Sequence, residues 1–428
     1  EFARDIPFQT WLPKGDLVFH LNQHIGKPAK PLVQKGDSVL AGQIIAEADG
    51  FVSANIISSV SGTVKAIEKR ENVLGTTDLS IVVTNDGQYT LAEGVGAEVD
   101  PTTLTTQEIL AKVKAAGIVG LGGAGFPTHV KLAPKDPAAI KYVIANGAEC
   151  EPYITCDDQL MRNYADEIVG GLKIMLQLFP NAEGVVLIEE NKPEAIAAVQ
   201  KVCANENKIH VHPVHVKYPQ GGERAIMDVV AGKHIKLGML PADVGCVVDN
   251  VATVRAIYCA VAKTEPLMER GFTVSGDGVN KPCNLIVKIG TSFEEMLEAA
   301  GGFKDGEEPE KILCGGPMMG FAMPWLSAAV NKNNNALTVL KKDPVAEAEK
   351  QQTACLRCGR CGQVCPIGLV PQMMAAAAEK KDYARYEKKL YGLECIACGS
   401  CTFTCPAKRP LMQLFKQTKA EIMAAKRR

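Results

Sequence analysis

The chain has 428 residues, 46% of them hydrophobic, which is enough for several domains with buried cores. Lys and Arg number 47 against 48 Asp and Glu, and this net charge of −1 excludes the basic excess of a protein that binds nucleic acid in bulk. The most apolar stretch, residues 237–262, is interrupted by Asp243, Asp249 and Arg255, so we expect a soluble chain without a membrane span. We find no secretory signal, and the start at Glu1 without Met indicates a natural N-terminus further upstream.

Residues 30–70 predict a small barrel. Short alternating strands are separated by turns such as Ala41-Gly42 and Asp49-Gly50, and the pattern resembles the biotinyl/lipoyl barrel-sandwich fold. Carrier proteins of that fold present a modified Lys at a hairpin tip, but the corresponding tip here, near Phe51, has none. We therefore expect an unmodified scaffold or docking domain, over residues 1–100, rather than a swinging arm.

A literal G-x-G-x-x-G follows, formed by Gly120, Gly122 and Gly125. In a Rossmann unit this pattern follows a strand and opens a helix. Here residues 105–117 predict a helix before the glycines, and Phe126-Pro127 follows them. The alternative is a loop whose bare backbone lets a flat ring and a phosphate approach closely. Lys131 then supplies a cation for the phosphate.

The next segments predict an α/β domain. Residues 184–202 indicate a buried strand, a turn and a helix. Glu189 and Glu190 end that strand, at the edge where parallel sheets bind ligands. Two interpretations stay open for them: exposure to solvent, or contact with an NAD ribose. His210, His212 and His215 alternate with other residues as on a strand with outward imidazoles, and a metal site is the less favoured interpretation.

Residues 281–302 predict a strand and then a helix capped by Thr291 or Ser292. This segment is similar to the soluble-ligand-binding β-grasp (SLBB) module, which residues 314–320 would close. Cys314 is interpreted as a buried thiol rather than a ligand.

The strongest signal is a pair of cysteine runs near the C-terminus, each reading C-x2-C-x2-C-x3-C-P. This spacing is typical of [4Fe–4S] clusters in bacterial ferredoxins, where the fourth Cys of each run ligates the other cluster. Zinc knuckles and disulfides are the alternatives. The first predicted cluster has the ligands Cys355, Cys358, Cys361 and Cys405. The second has Cys395, Cys398, Cys401 and Cys365.

The sequence between and after the runs is rich in helix formers, which predicts an α-helical ferredoxin domain. Its tail carries seven basic residues and one acid. Leu411, Leu414, Phe415 and Met423 predict one apolar stripe. A solvated helix and a helix that docks on a membrane partner or anionic headgroups are both open.

Four segments together carry a family resemblance: residues 120–131, 146–153, 217–226 and 249–254. They resemble the flavin- and NADH-binding subunit of respiratory complex I. With the barrel in front and the double cysteine run behind, the whole order resembles the C subunits of Rnf complexes, which are membrane-bound ferredoxin:NAD oxidoreductases.

The resemblance implies site residues. The positions that match FMN contacts are Gly120, Gly122, Gly123, Lys131, Asn146, Glu149, Tyr218, Gly221, Asn250 and Thr253. The positions that match the NADH site are Phe126, Glu151 and Glu223. No residue is nominated for proton transfer. Ala148 stands where the complex I subunit usually has an acid.

The fold expected is therefore multidomain α/β plus α. It consists of a lipoyl-like barrel sandwich (1–100), a complex-I-type FMN/NADH domain (101–270), an SLBB-type β-grasp module (271–340) and a double [4Fe–4S] ferredoxin domain (341–428). The resemblance implies a peripheral subunit at the cytoplasmic face of the membrane that exchanges electrons between NAD(H), FMN and the clusters. Other Rnf subunits, membrane-integral and ferredoxin-like, would oxidise ferredoxin and transport ions, so that ferredoxin is an indirect partner. A flavin subunit of a soluble hydrogenase or formate dehydrogenase, and a non-catalytic iron–sulfur scaffold, are the alternatives.

Overall fold

The computed structural model describes residues 2–236 and 238–427, and its N-terminal part is a barrel sandwich. The first elements are β1 (Phe8–Trp11), β2 (Leu17–His20), β3 (Lys30–Pro31), β4 (Ser38–Val39), β5 (Ile44–Glu47), β6 (Ile56–Ile57), β7 (Gly62–Glu71) and β8 (Thr77–Asn85). Two sheets, ordered β2-β8-β7-β4 and β3-β5-β6, enclose a core that includes Phe19, Ile45 and Ile81. The hairpin tip carries Phe51, 81% exposed, and no Lys, as predicted.

Strand β1 lies outside this barrel. It pairs in parallel with a strand far along the chain, with Phe8 opposite Asn284. The predicted barrel range 1–100 thus includes a strand of another sheet. The four residues of β1, Phe-Gln-Thr-Trp, are too few to show a period, so local pattern does not assign this strand to either sheet.

The central domain is built on a parallel four-stranded sheet ordered β11-β10-β9-β12. Its elements are α1 (Thr106–Ala115), α2 (Thr128–Lys131), β9 (Tyr142–Gly147), α3 (Cys156–Asn163), α4 (Ala165–Gln177), β10 (Glu183–Glu189), α5 (Pro193–Cys203), β11 (Ile209–Val214), α6 (Glu223–Ala231), β12 (Cys246–Asn250) and α7 (Val251–Ala262). The helix predicted before the glycine loop is confirmed as α1. Thr105 and Glu108 form a capping box at its start, and Gly117 follows its end at φ +66°.

The acidic residues at the end of β10 and the histidines in and after β11 were both expected to face solvent, and the outcomes differ. Glu189 is 1% exposed, so the expectation of solvent exposure is wrong for it, because it ends a buried central strand. Glu190 is exposed and hydrogen-bonds His215 at 2.8 Å. His210 and His212 face outward from β11 as expected. These histidines form no three-ligand metal group among the residues described.

The third domain contains a six-stranded mixed sheet ordered β1-β14-β13-β17-β15-β16. Its elements are β13 (Glu269–Ser275), β14 (Cys283–Lys288), α8 (Phe293–Ala299), β15 (Lys311–Cys314), β16 (Phe321–Ala322) and β17 (Ala336–Leu340). Ser292 caps α8 by accepting a hydrogen bond from Glu295 N, which settles the choice between the two predicted caps. Cys314 is 4% exposed, which confirms the buried thiol.

The C-terminal domain is helical, as predicted. It consists of α9 (Pro344–Lys350), α10 (Arg360–Gln363), α11 (Pro371–Glu379), α12 (Tyr383–Lys388), α13 (Ser400–Phe403) and α14 (Leu411–Arg427). The buried face of α14 contains Leu411, Phe415, Thr418 and Ile422. Met423 is 41% exposed, so its place in the predicted stripe is wrong. Within the described ranges, every helix is too short or too polar to span a bilayer.

Candidate functional site

The site predicted for a flavin lies at the carboxyl edge of the parallel sheet. From β9 the chain adds β10 and β11 on one side of the sheet and then β12 on the other, so the strand order reverses at β9. Open parallel sheets bind ligands in the crevice at such a switch point. Asn146, the last residue but one of β9, lies near that crevice, and Asn250, its register partner, ends β12. The structure thus brings together two predicted residues that are far apart in sequence.

Hydrogen bonds fix both amides. Asn146 Nδ2 donates to Gly221 O at 3.0 Å, and its Oδ1 accepts from Ala148 N at 3.1 Å. Asn250 Oδ1 caps α7 by accepting from Ala252 N at 2.9 Å. A Cβ on Gly221 would overlap the carbonyl oxygen of Ala148, so only glycine allows this approach of the two loops.

The glycine loop closes on itself beside these amides. Gly120 N donates to Phe126 O at 2.8 Å, and Leu121 N donates to Thr253 Oγ1 at 2.9 Å. Gly122 passes so close to Asn250 that a Cβ would stand 3.2 Å from the Asn250 Cβ. Gly123 has φ +112° with nothing within 4 Å of a Cβ position. The loop therefore presents bare, exposed backbone at the crevice, which is the cradle that a flat ring and a phosphate need.

Lys131 is the cation of this site. Its Nζ donates to Val248 O at 2.7 Å and lies 3.3 Å from Asp249 Oδ1 and 3.5 Å from Glu223 Oε1. Burial opposes the charge of Lys131, but the Asp249 and Glu223 carboxylates outweigh it and raise the lysine's pKa. Lys131 is therefore charged at neutral pH and held at the end of β12 by two acids.

Glu149 is buried behind the crevice. It accepts hydrogen bonds from Asp157 N at 2.9 Å and Asp158 N at 3.2 Å, at the N-terminus of α3. Lys192 Nζ lies 3.5 Å from its Oε2. Burial raises the pKa of Glu149 to about 8, although Lys192 opposes the shift. Glu149, Cys156 and Asp157 lie within 4.8 Å of one another, but the helix amides already use the Glu149 oxygens.

This pKa predicts a pH dependence of stability. A carboxyl whose folded pKa is raised stabilises the fold at low pH and loses that contribution as pH rises from its unfolded value, about 4.5, to about 8. We expect the thermal midpoint of Glu149→Gln protein to fall less between pH 5 and pH 8 than that of the parent chain. Glu98→Gln, at an exposed position, is the control and should retain the parent slope. Parallel curves for Glu149→Gln and the parent would contradict the burial effect.

The three residues predicted for NADH lie around the crevice in different settings. Phe126 closes the glycine loop and is half-buried. Glu223 begins α6, with its side chain 49% exposed. Glu151 is engaged elsewhere: its Oε1 accepts from Met318 N at 2.6 Å and Met319 N at 3.2 Å, and burial raises its pKa. Glu151 thus ties the third domain to the crevice.

Tyr218 connects the crevice to the helical domain. Its hydroxyl donates to Cys398 O at 2.6 Å. Beside it, Arg224 Nη2 forms an ion pair with Glu394 Oε2 at 2.6 Å. Met318 packs against Gly399, where a Cβ would lie 3.3 Å from Met318 O. The second cysteine run is therefore packed against the loops that border the crevice.

The eight cysteines of the two runs form two sites. One cavity is lined by four thiols that belong to both runs: Cys395, Cys398, Cys401 and Cys365. The other is lined by the remaining four: Cys355, Cys358, Cys361 and Cys405. Each set is thus three thiols of one run and the last thiol of the other, as the spacing predicts. Four free thiols around one cavity suit an iron–sulfur cluster.

Sequence reasoning missed the residues that support the glycine loop from behind. Arg270, 3% exposed, donates to Leu121 O at 3.4 Å and to Lys332 O. Lys332 Nζ donates to Gly117 O at 2.7 Å and to Asn55 O of the barrel, and burial lowers its pKa to about 7. These contacts join three domains over long sequence separations, and no local pattern signals them.

Comparison with known proteins agrees with this architecture. Three family models match: the RnfC barrel sandwich hybrid domain over residues 1–88, the Nuo51 FMN-binding domain over 113–259, and the SLBB domain over 272–322.

Curated relatives match nearly the whole chain. The chain is 42% identical over 414 residues to the C subunit of the proton-translocating ferredoxin:NAD(+) oxidoreductase complex of Clostridium ljungdahlii, with 96% of this chain and 90% of the relative covered. It is 37% identical over 428 residues to the C subunit of the Na(+)-translocating ferredoxin:NAD(+) oxidoreductase complex of Acetobacterium woodii, with 100% and 96% covered.

Among solved structures, a chain of an NAD+-reducing [NiFe]-hydrogenase in the H2-reduced state is similar in fold. The TM-score is 0.51 at 19% identity, over 76% of this chain and 62% of that chain.

Proposed function

Because this chain belongs to the C-subunit family of ion-translocating ferredoxin:NAD(+) oxidoreductase (Rnf) complexes, we propose that it exchanges electrons between NAD(H), an FMN and two [4Fe–4S] clusters. The observation that carries the proposal is the contact between the glycine-loop crevice and the second cysteine run, made through Tyr218 and Cys398. An electron that leaves a carrier in one site would cross only packed protein to reach a carrier in the other site.

The residues of both sites suit the proposed groups. The exposed backbone of Gly122 and Gly123, with the Asn146 and Asn250 amides, would hold the FMN ring and ribityl chain. Lys131 would pair with the phosphate. When bound, FMN accepts a hydride as an electron pair and releases the electrons singly, and [4Fe–4S] clusters take one electron at a time. The loop backbone and the two Asn amides would orient the ring at the carboxyl edge of the sheet.

The packing supports one order of the two clusters in the proposal. The thiols of Cys395, Cys398 and Cys401 are partly or fully buried, and Cys398 borders the crevice loops. Cys355 and Cys358 are exposed. The cluster of the second set would thus lie next to the flavin, and the cluster of the first set would exchange electrons with the outside.

NADH would approach the crevice from the side of Phe126 and Glu223. The Phe126 ring would pack near the nicotinamide, and the half-exposed Glu223 would accept hydrogen bonds from the dinucleotide. Glu151 would act on this site through the Met318 loop that it holds. The other subunits would anchor the chain at the cytoplasmic face of the membrane, where NAD(H) is available, and would carry out ferredoxin oxidation and ion transport.

A cofactor inventory with an activity assay tests the proposal. Anaerobically purified full-length protein should contain about one FMN and roughly eight irons per chain, and NADH should reduce ferricyanide through it. A non-catalytic scaffold would contain iron but no flavin, and would be inactive with NADH. In that case the proposed function is wrong, whatever the iron content.

A further inference from the structure

Tyr386, on α12 of the helical domain, carries a buried hydroxyl that the proposed function does not use. The residue is 0% exposed. Among the residues that the structure describes, its hydroxyl has no hydrogen-bond partner. By contrast, the phenol of Tyr383, one turn earlier on the same helix, is paired with Glu421. Burying a hydroxyl without a partner is costly, so a native protein normally supplies one from a side chain, a water or a bound group.

Local packing holds the Tyr386 ring in one place. Asp382 caps α12 by accepting a hydrogen bond from Arg385 N at 3.1 Å, and Tyr386 follows in the same turn. The ring lies against Gly392, where a Cβ would stand 2.2 Å from a ring carbon, so only glycine permits this contact. Its centroid is 6.3 Å from that of Phe415 on α14. The position of the hydroxyl is therefore set by the fold of the domain.

That position is next to the second set of thiols. The hydrophobic core that contains the ring has three side chains of this set packed against it: Cys365, Cys395 and Cys401. Phe415, the neighbour of Tyr386, lines the cavity that the set surrounds. Burial raises the pKa of Tyr386, and the charges of Cys395 and Cys401 raise it further. The phenol is thus within electrostatic reach of two of the predicted cluster ligands.

A cluster in this cavity would need donors from the protein. Two thiols of the first set are exposed, so water can donate hydrogen bonds there, whereas the second cavity is lined mostly by apolar side chains. A [4Fe–4S] cluster becomes more negative on reduction, so apolar surroundings lower its potential and hydrogen-bond donors raise it. The thiols of the second set have three polar neighbours at 3.4 Å, each local in sequence: Ala397 N at Cys395 Sγ, Leu369 N at Cys365 Sγ and Ser400 Oγ at Cys398 Sγ.

We propose that the Tyr386 hydroxyl is a further hydrogen-bond donor to the second cluster and raises its reduction potential. The inference rests on the proposed function, because the hydroxyl has this acceptor only if the second set of thiols holds a cluster. A donor to sulfur stabilises the reduced cluster more than the oxidised one, since the bond strengthens with the negative charge of the acceptor. The cluster gains one electron and the proton stays on the Tyr386 oxygen, so no covalent bond forms or breaks.

The test is a redox titration of anaerobic full-length protein, followed by EPR. Tyr386→Phe keeps the ring and removes only the hydroxyl. We expect the equilibrium constant for reduction of the second cluster to fall about 10-fold, which lowers its potential by about 59 mV for one electron. The potential of the first cluster should not change. In pulsed EPR spectra of the reduced second cluster, one coupling to an exchangeable proton should disappear. Cys358→Ala protein, which should retain only the second cluster, identifies the signal of that cluster.

The matched control is Tyr391→Phe, which removes a phenol hydroxyl from the same domain at a residue that is 63% exposed. It should retain both parent potentials and the exchangeable-proton coupling. Iron content should equal that of the parent in both tyrosine variants. A parent protein without the second cluster would contradict the proposed function itself, and this inference with it.

Two results would overturn the inference and leave the proposed function intact. One is a parent potential for the second cluster in Tyr386→Phe protein with full iron. The other is a lowered potential with the exchangeable-proton coupling retained, which would mean that the hydroxyl acts through its dipole and donates no hydrogen bond to the cluster.

Discussion

The Cys358→Ala/Cys405→Ala variant of the full-length protein is expected to lose about four of its roughly eight irons. Each single variant, Cys358→Ala or Cys405→Ala, should lose the same number. The two residues come from different runs, but their thiols line one cavity. Removing a second ligand from a cluster that is already lost has no further effect. By contrast, Cys401→Ala/Cys405→Ala should lose nearly all iron, although these residues are neighbours in one run, because Cys401 lines the other cavity.

Iron and acid-labile sulfide per chain measure this difference, with the spectra of the reduced clusters as a second readout. Cys203→Ala is the control, since Cys203 lies in α5 of the central domain and should be irrelevant to iron content. If the loss in Cys358→Ala/Cys405→Ala were twice that of the single variants, the crossed ligand sets would be wrong.

The crossed sets could be predicted from sequence because the spacing of each run is local. Three thiols within seven residues of each other suit one cluster, and in bacterial ferredoxins the fourth Cys of such a run ligates the other cluster. The helix before the glycine loop could be predicted for the same reason, since Thr105, Glu108 and Gly117 are start and stop signals that act within a few residues.

What the sequence did not predict depends on contacts between distant segments. Arg270 reaches Leu121, and β1 pairs with β14, but no pattern within either segment specifies its partner. The predicted buried face of α14 was wrong at Met423 for a related reason. Met423 and Ile422 are both apolar and adjacent, and packing against α11 decides which of them is buried. The crevice residues were identified through the family resemblance, and the sheet order then gave the physical reason why Asn146 and Asn250 meet.

Replacing Lys131 by Met is expected to affect stability and flavin binding separately. Asp249 is buried and would lose its cation, and breaking a buried pair from one side costs about 3 kcal/mol or more. We expect the thermal midpoint of the apoprotein to fall by roughly 6–12 °C. FMN affinity should fall by about 10- to 100-fold, because a charge-assisted hydrogen bond to the phosphate is lost.

The double variant Lys131→Met/Asp249→Asn distinguishes the two effects. Removing the unpaired carboxylate should restore most of the thermal midpoint, while FMN binding, measured by fluorescence titration, stays weak. Burial already raises the pKa of Asp249 in the parent chain, and losing Lys131 should raise it further. A raised carboxyl pKa stabilises the fold at low pH and not above, so the destabilisation by Lys131→Met should be smaller at pH 5 than at pH 8. Recovery of FMN affinity together with stability would mean that Lys131 holds the end of β12 and has no direct contact with the phosphate.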